Sequence, residues 1–314
     1  MQTQASRPMV VCDQARTAAA LDFAELTAAV ARASAEYESG AILSPERTVL
    51  PLGPGGVLLS MPAAASDIGI HKLVNVQPAN AGRRLPTIHG TVTVCDAATG
   101  VPLCLLDGPE LTGRRTAAVS LLAIDTFLPA APTEALLIGT GTQAIHHLKA
   151  LAAMHPDCKV WVRGRDAKGA EAFCTAHGAM HRRMQACGPA EVPDGVQVVI
   201  ALTTATRPVY DEVARTGRLV IGVGAFKPEM AELGKTTLNG SEIYADDLIG
   251  ARHEAGDLLQ AGIDWGRVAS LASALKQRPD PGRPIVFKSV GTGAWDLAAS
   301  RVALKHLGLG SLAP

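Results

Sequence analysis

An α/β fold in two parts is predicted by three observations: a regular alternation of short apolar strands with helices from Glu134 onward, a glycine-punctuated turn after the first of those strands, and a block of short β-rich runs between Arg47 and Asp107. Taken in order, Phe23, Leu26, Ala29, Val30 and Ala33 recur at three and four positions, which predicts a helix from Asp22 to Tyr37. The runs Gly56–Ser60, Gly69–Val74, Gly90–Cys95 and Pro102–Leu106 are separated by Gly, Pro and Asn and predict a sheet with tight turns, Asp96-Ala-Ala-Thr-Gly100 being a hairpin connection. Thr112 precedes an alanine- and leucine-rich helix from Arg115 to Phe127, which ends before Pro129 and Pro132. Beyond it come a strand Ala135–Ile138, a helix from Thr142, a strand Lys159–Val162, a helix Ala167–Ala176, and strands Val196–Ala201 and Arg218–Gly222. That rhythm is the signature of a parallel sheet covered by helices. Lys276–Pro284 is a surface loop, and the segment Ile285–Asp296 opens a helix that runs to His306. The expected division is a domain 1–120 completed by 286–314, and a second domain 121–285.

Composition excludes several classes of function. Among 314 residues, 29 Lys and Arg balance 29 Asp and Glu, so no excess positive charge is available to hold a polyanion, and nucleic acid is not an expected partner. No apolar run approaches the length of a membrane span. The segment Met1–Pro8 lacks a basic stretch followed by an apolar one, so the cytoplasm is the default compartment. Cys12, Cys95, Cys104, Cys158, Cys174 and Cys187 are scattered with no C-x-x-C pair and read as free, largely buried thiols. No H-E-x-x-H pattern occurs among the histidines, and adjacent His146 and His147 cannot share a helix face, so no metal is expected.

The turn Gly139-Thr140-Gly141-Thr142-Gln143-Ala144 is G-x-G-x-x-A, between an apolar strand and a helix, which is the context that gives the pattern meaning. The glycines permit a tight turn and close approach of a pyrophosphate, Ala144 lets helix and sheet pack closely, and the free N–H groups of the helix start hold phosphate. A Rossmann-type dinucleotide-binding domain is therefore expected. The next strand ends Val160-Trp-Val-Arg-Gly-Arg165, with Arg163 and Arg165 where an NAD-binding domain usually carries an acid for the ribose 2′-hydroxyl. This favours NADPH, with NADH as the second candidate; Asp166 is the nearby carboxylate that could reach the ribose.

Several segments in order resemble the ornithine cyclodeaminase and μ-crystallin family: Gly69-Ile-His-Lys-Leu-Val74 with Pro78 and Asn80, Leu85-Pro-Thr-Ile-His-Gly90, Thr99-Gly-Val-Pro102, Leu111-Thr-Gly-Arg-Arg-Thr-Ala-Ala118, Gly139–Ala144 and Phe287-Lys-Ser-Val-Gly291. The resemblance implies an α+β substrate-binding and dimerisation domain made from the N-terminal part plus the returning C-terminal helix, a central Rossmann domain, and a homodimer through the substrate domains. It places Arg47, Lys72 and Arg115 around a substrate α-carboxylate, a task that suits the planar guanidinium fork. His89 is a further candidate for the pocket, or a core histidine.

Cyclodeaminases of that family carry an aspartate at the position aligned with Phe226, and phenylalanine neither accepts nor donates a proton. The resemblance is accordingly closest to the family's cyclic ketimine reductases, which implies reduction of Δ1-pyrroline-2-carboxylate or Δ1-piperideine-2-carboxylate to L-proline or L-pipecolate. Lys72 is the candidate proton or hydrogen-bond donor to the imine nitrogen, or equally a pure carboxylate anchor. Thr203, Thr204, Val223 and Gly224 follow strands and are assigned to the nicotinamide edge, with Lys288 and Ser289 closing the cofactor pocket from the C-terminal side. Three alternatives stay open: ornithine cyclodeamination, oxidation of a small amino acid such as alanine, and a non-enzymatic NADPH-binding role.

Overall fold

The structure, a computed structural model, describes residues 8–310. The chain forms two compact units, one reaching to Arg115 and resuming at Thr292, the other spanning Thr116–Gly291. These divisions fall a few residues from those expected at 120/121 and 285/286.

The first unit contains β1 (Val10–Val11), α1 (Gln14–Ala19), α2 (Phe23–Glu38), β2 (Thr48–Pro51), β3 (Val57–Ala64), β4 (Ile68–Val76), β5 (Ile88–Asp96), β6 (Pro102–Asp107), the start of α3 (Gly108–Phe127), and α10 (Gly293–His306). Its sheet has the order β1-β6-β5-β4-β3-β2, antiparallel apart from the β1–β6 edge. Strand alternation sends Met61, Ala63, Ile68, Ile70, Val92, Val94 and Leu106 to one buried face, on which α10 lies, with α2 packed against α10. The apolar spacing that predicts α2 holds, with Phe23, Leu26, Ala29, Val30 and Ala33 buried, and Asp22 caps the helix by accepting from Glu25 N at 3.0 Å. Helix α3 starts at Gly108 rather than Arg115, because the cap is Asp107, whose carboxylate accepts from Glu110 N at 2.8 Å, and not Thr112.

The second unit contains β7 (Glu134–Ile138), α4 (Thr142–Met154), β8 (Lys159–Arg163), α5 (Ala167–His177), β9 (Met184–Ala186), β10 (Val198–Ala201), β11 (Leu219–Gly222), α6 (Lys235–Asn239), β12 (Glu242–Ala245), α7 (Leu248–Glu254), α8 (Gly256–Ala261), β13 (Val268–Ser270), α9 (Leu271–Lys276) and β14 (Ile285–Lys288). Its strands are all parallel in the order β13-β12-β14-β11-β10-β7-β8-β9. The chain runs outward from β7 through β8 and β9, then returns to β10 on the other side of β7. That reversal opens a crevice at the carboxyl ends of β7 and β10, where ligands of such sheets bind. One expectation is corrected here: Ile285–Lys288 is not the opening of the last helix but a fully buried strand between β11 and β12, and the helix begins only at Gly293. A four-residue apolar run carries no periodicity that separates strand from helix. Among the described residues no helix is long and apolar enough to cross a membrane.

Leu26 is wholly buried in α2. Leu26→Ala is expected to destabilise the chain by about 2–5 kcal/mol, the usual cost of a large-to-small change in a packed interior, measured as a lower urea midpoint at unchanged slope.

Candidate functional site

In the first unit the chemistry collects around one carboxylate. Lys72 lies in β4 opposite Met61 of β3 and Val92 of β5, so its side chain belongs to the apolar, helix-covered face of the sheet, where it is 2% exposed. Asp296, in the first turn of α10, reaches down onto that face and is entirely buried. Lys72 Nζ stands 2.7 Å from Asp296 Oδ2, and Arg115 Nε donates to Asp296 Oδ1 at 3.0 Å. Two cations thus share one carboxylate, and Arg47 is close enough for its charge to act on Lys72. Burial lowers the Lys72 ammonium to about 8, Asp296 opposing the shift and Arg115 and Arg47 adding to it. The cluster carries surplus positive charge away from water, an arrangement suited to an anionic ligand, and its amine can gain or lose a proton near neutral pH. The adjacent Arg114 takes no part: it donates to Glu110 Oε1 and to the Leu21 carbonyl and lies over the Phe23 ring.

His89 is a correction. It pairs in register with Asn75, an odd step from Lys72, so its side chain belongs to the opposite face of the sheet, where it is exposed. Within this chain it does not share a pocket with Lys72.

In the second unit, the turn after β7 has the geometry of a phosphate cradle. Gly139 has φ +122°, and a Cβ there would sit 2.8 Å from the Leu202 carbonyl oxygen at the end of β10, so glycine is required twice over. Gly141 is the N-cap of α4, no side chain among the described residues caps that end, and the space beside Gly141 is open. The N–H groups of the first turn therefore face outward as an anion site. Thr140 and Thr142 are exposed beside it, Ala144 is buried against the sheet, and Gln143 Oε1 is buried with no partner among the described residues. These features fit a dinucleotide pyrophosphate, and Gly139–Ala144 would hold it. Helix α4 is anchored by His147, whose Nδ1 donates to the Gln143 carbonyl at 2.8 Å and whose Nε2 accepts from Ser120 Oγ at 2.9 Å; burial pushes this imidazole down to about 4, so it stays neutral.

Two further assignments are corrected. Arg163 is buried, and its guanidinium donates to the Glu191 carbonyl at 3.4 Å and to the Val209 carbonyl, which makes it a tie between loops and not a phosphate ligand. Lys288 is wholly buried and paired with Asp257 Oδ2 at 2.6 Å, while Ser289 Oγ donates to Asp246 Oδ2 at 2.8 Å; both side chains hold the fold together. Arg165 is exposed at the end of β8, and Asp166 is occupied as the cap of α5, accepting from Gly169 N at 2.7 Å. Thr203, Thr204, Val223 and Gly224 do follow β10 and β11 at their carboxyl ends. Thr203 N and Gly224 N both donate to Glu232.

Sequence reasoning did not find Asp296, Glu232 or Asp257. Asp296 is a lone acid in an otherwise apolar or small-residue stretch, Gly293-Ala-Trp-Asp-Leu-Ala-Ala299, whereas Glu232 and Asp257 follow Glu229 and Glu254 and look like ordinary surface acids. An acid among apolar residues is costly unless paired, and that is the signal Asp296 carries.

A parallel sheet with a glycine phosphate turn, joined to a unit with a buried cationic cluster, defines a dinucleotide-binding α/β protein equipped to take a small carboxylate. The chain belongs to the ornithine cyclodeaminase/mu-crystallin family, whose model matches residues 8–307. It is 52% identical over 296 residues, 94% of this chain and 95% of the other, to the Δ1-pyrroline-2-carboxylate/Δ1-piperideine-2-carboxylate reductase of Azospirillum brasilense. It is also 52% identical to Δ1-pyrroline-2-carboxylate reductase 2 of Burkholderia ambifaria, over 93% of this chain and 94% of that one. Among solved structures, the Thermococcus litoralis Δ1-pyrroline-2-carboxylate reductase in complex with NADH and L-proline superposes with a TM-score of 0.86 at 26% identity, covering 97% of this chain and all of the other.

Asp296→Asn is expected to drop the Lys72 pKa below 8, since it removes the one carboxylate that raises it, and to destabilise the chain by about 3–5 kcal/mol, as for other broken buried pairs. Titration of the ¹³C-labelled lysine Cε resonances checks the first effect, and chemical unfolding the second.

Proposed function

We propose that this chain reduces the cyclic ketimines Δ1-pyrroline-2-carboxylate and Δ1-piperideine-2-carboxylate to L-proline and L-pipecolate, using a nicotinamide dinucleotide. The observation that carries this reading is the buried pair of cations, Lys72 and Arg115, that share the carboxylate of Asp296, in a chain half identical to reductases of these two imines. When bound, the nicotinamide supplies hydride to the imine carbon.

The protein's own part follows from the cluster. Arg115 spends its Nε–H on Asp296, and its other N–H groups are the donors proposed for a substrate carboxylate, with Arg47 adding charge. A carbon–nitrogen double bond accepts hydride readily only when the nitrogen is protonated or strongly hydrogen bonded. Lys72, with an ammonium softened to about 8, is placed to supply that proton or hydrogen bond. Phe226, at the end of β11, offers no acceptor for a substrate amine, which argues against deaminative ring closure.

NADPH is the proposed donor. Asp166 is committed to capping α5, which leaves Arg165, exposed just after β8, as the cation for a ribose 2′-phosphate. A homodimer is proposed through the face of the six-stranded sheet opposite Lys72, where Leu50 of β2 and Leu43, bridged to Ala64 of β3, are exposed. Six free cysteines suit a reducing cytoplasm.

The deciding experiment follows NADPH and NADH oxidation with both imines in parallel. Turnover of at least one imine, faster with NADPH, is expected; dinucleotide binding without turnover of either would overturn the reductase reading in favour of a binding role or another family chemistry. In the active enzyme, kcat/KM should fall as pH rises through about 8, because Lys72 must be protonated to act. Arg115→Ala should raise KM for the imine by roughly ten- to a hundredfold while leaving that for NADPH within twofold, as expected for losing a charge-assisted contact.

A further inference from the structure

The second unit contains a set of buried charges that the chemistry above does not use. Glu232 lies in the loop between β11 and α6 and has no solvent exposure. Its Oε1 accepts from Thr203 N, at the end of β10, and its Oε2 accepts from Gly224 N at 2.6 Å and Ala225 N at 3.0 Å, at the end of β11. The Glu232 backbone is itself fastened: Val209 N and Tyr210 N donate to its carbonyl at 2.8 and 3.0 Å, and its own N–H, with that of Leu233, donates to Asp257 Oδ1. Asp257 is in turn paired with Lys288 at the end of β14. One carboxylate, backed by a buried ion pair, thus ties together the carboxyl-end loops of neighbouring parallel strands.

The fit is close. A Cβ on Gly224 would stand 2.0 Å from the Thr203 carbonyl oxygen and 2.8 Å from Glu232 Oε1, so the two loops meet backbone to backbone with the carboxylate wedged between their N–H groups. Burial pushes the Glu232 carboxyl up, against the pull of Lys288 and of the Thr203 N–H. An ionised carboxylate is an acceptor at every lone pair and can take all three N–H groups at once; an amide of the same shape must turn a donor toward at least one of them. In a doubly wound sheet the dinucleotide lies across the crevice, its pyrophosphate at the turn after the first strand and its two nucleosides over the two halves of the sheet. Since β8 and β9 form the half with the ribose-facing arginine, β10 and β11 are left for the nicotinamide.

We infer that Glu232 is a positioning residue for the nicotinamide end of the cofactor, acting through the main-chain loops Thr203–Thr204 and Gly224–Ala225 that its carboxylate holds. The inference rests on the dinucleotide reading of this site but not on the identity of the imine.

Its test compares whole dinucleotides with fragments that lack nicotinamide. NADPH and 2′-phospho-ADP-ribose, and NADH and ADP-ribose, are titrated by calorimetry into the wild type and Glu232→Gln. The expected result is a roughly tenfold or greater loss of affinity for the whole dinucleotide, with fragment affinity within twofold of wild type; in the active enzyme kcat should fall roughly ten- to a hundredfold, since small displacements of a reacting group cost this much. Equal losses for dinucleotide and fragment, or no loss for either, overturn the inference. Should the variant not fold, hydrogen exchange of the wild type decides: NADPH or NADH must protect the amides of Thr203, Gly224 and Ala225 beyond what the matching fragment does, and equal protection overturns the inference. Differential binding in a wild type that turns over no imine would overturn only the reductase reading and leave Glu232 in this role.

Discussion

A charged side chain taken out of water has to be matched, and the hold of Asp296 on Lys72 and Arg115 is the point on which the first unit depends. Without that carboxylate, an ammonium on the apolar face of the β3–β4–β5 sheet would either lose its proton or force the face open to water. With it, α10 is held over the sheet, and the side chain that holds it also opposes the loss of the amine's proton that burial favours. Structural and chemical roles fall on the same atom pair.

The second unit uses the same currency with the opposite sign. Glu232 and Asp257 face a single buried cation, Lys288, and the surplus negative charge is absorbed by main-chain N–H groups of loops and strand ends. In the first unit the surplus is positive, and a carboxylate-bearing ligand is the natural complement. This difference separates a scaffold from a binding site better than burial or ion pairing alone, since both clusters are buried and both contain lysine–aspartate pairs shorter than 3 Å. The open N-terminus of α4 is a third solution, in which main-chain N–H groups are left to meet an anion.

Much of this was legible in the chain, and the parts that were not share a cause. The glycine turn at 139–144, the apolar spacing of α2 and the alternating strands are local patterns. Arg163 and Lys288 were misjudged because a cation at a strand end looks the same in sequence whether it points to a ligand or inward to a carbonyl or carboxylate. His89 was misjudged because facing is decided by register, and a single step along β5 reverses it. Helix α3 began a turn and more too late because Asp107, at the end of a strand, doubles as its cap.

By itself, the sequence determined the α/β class, the dinucleotide turn, the substitution of phenylalanine for an acid at Phe226, and the two cations Lys72 and Arg115, all of which depend on residues close together in the chain or on the type of one residue. Tertiary structure alone decided which carboxylates those cations meet, that β14 is an interior strand, and that Arg163 is tied inward to loop carbonyls. The reason is distance along the chain: Arg115 and Asp296 are 181 residues apart, Glu232 and Thr203 are 29 apart, and such pairings leave no periodicity to read.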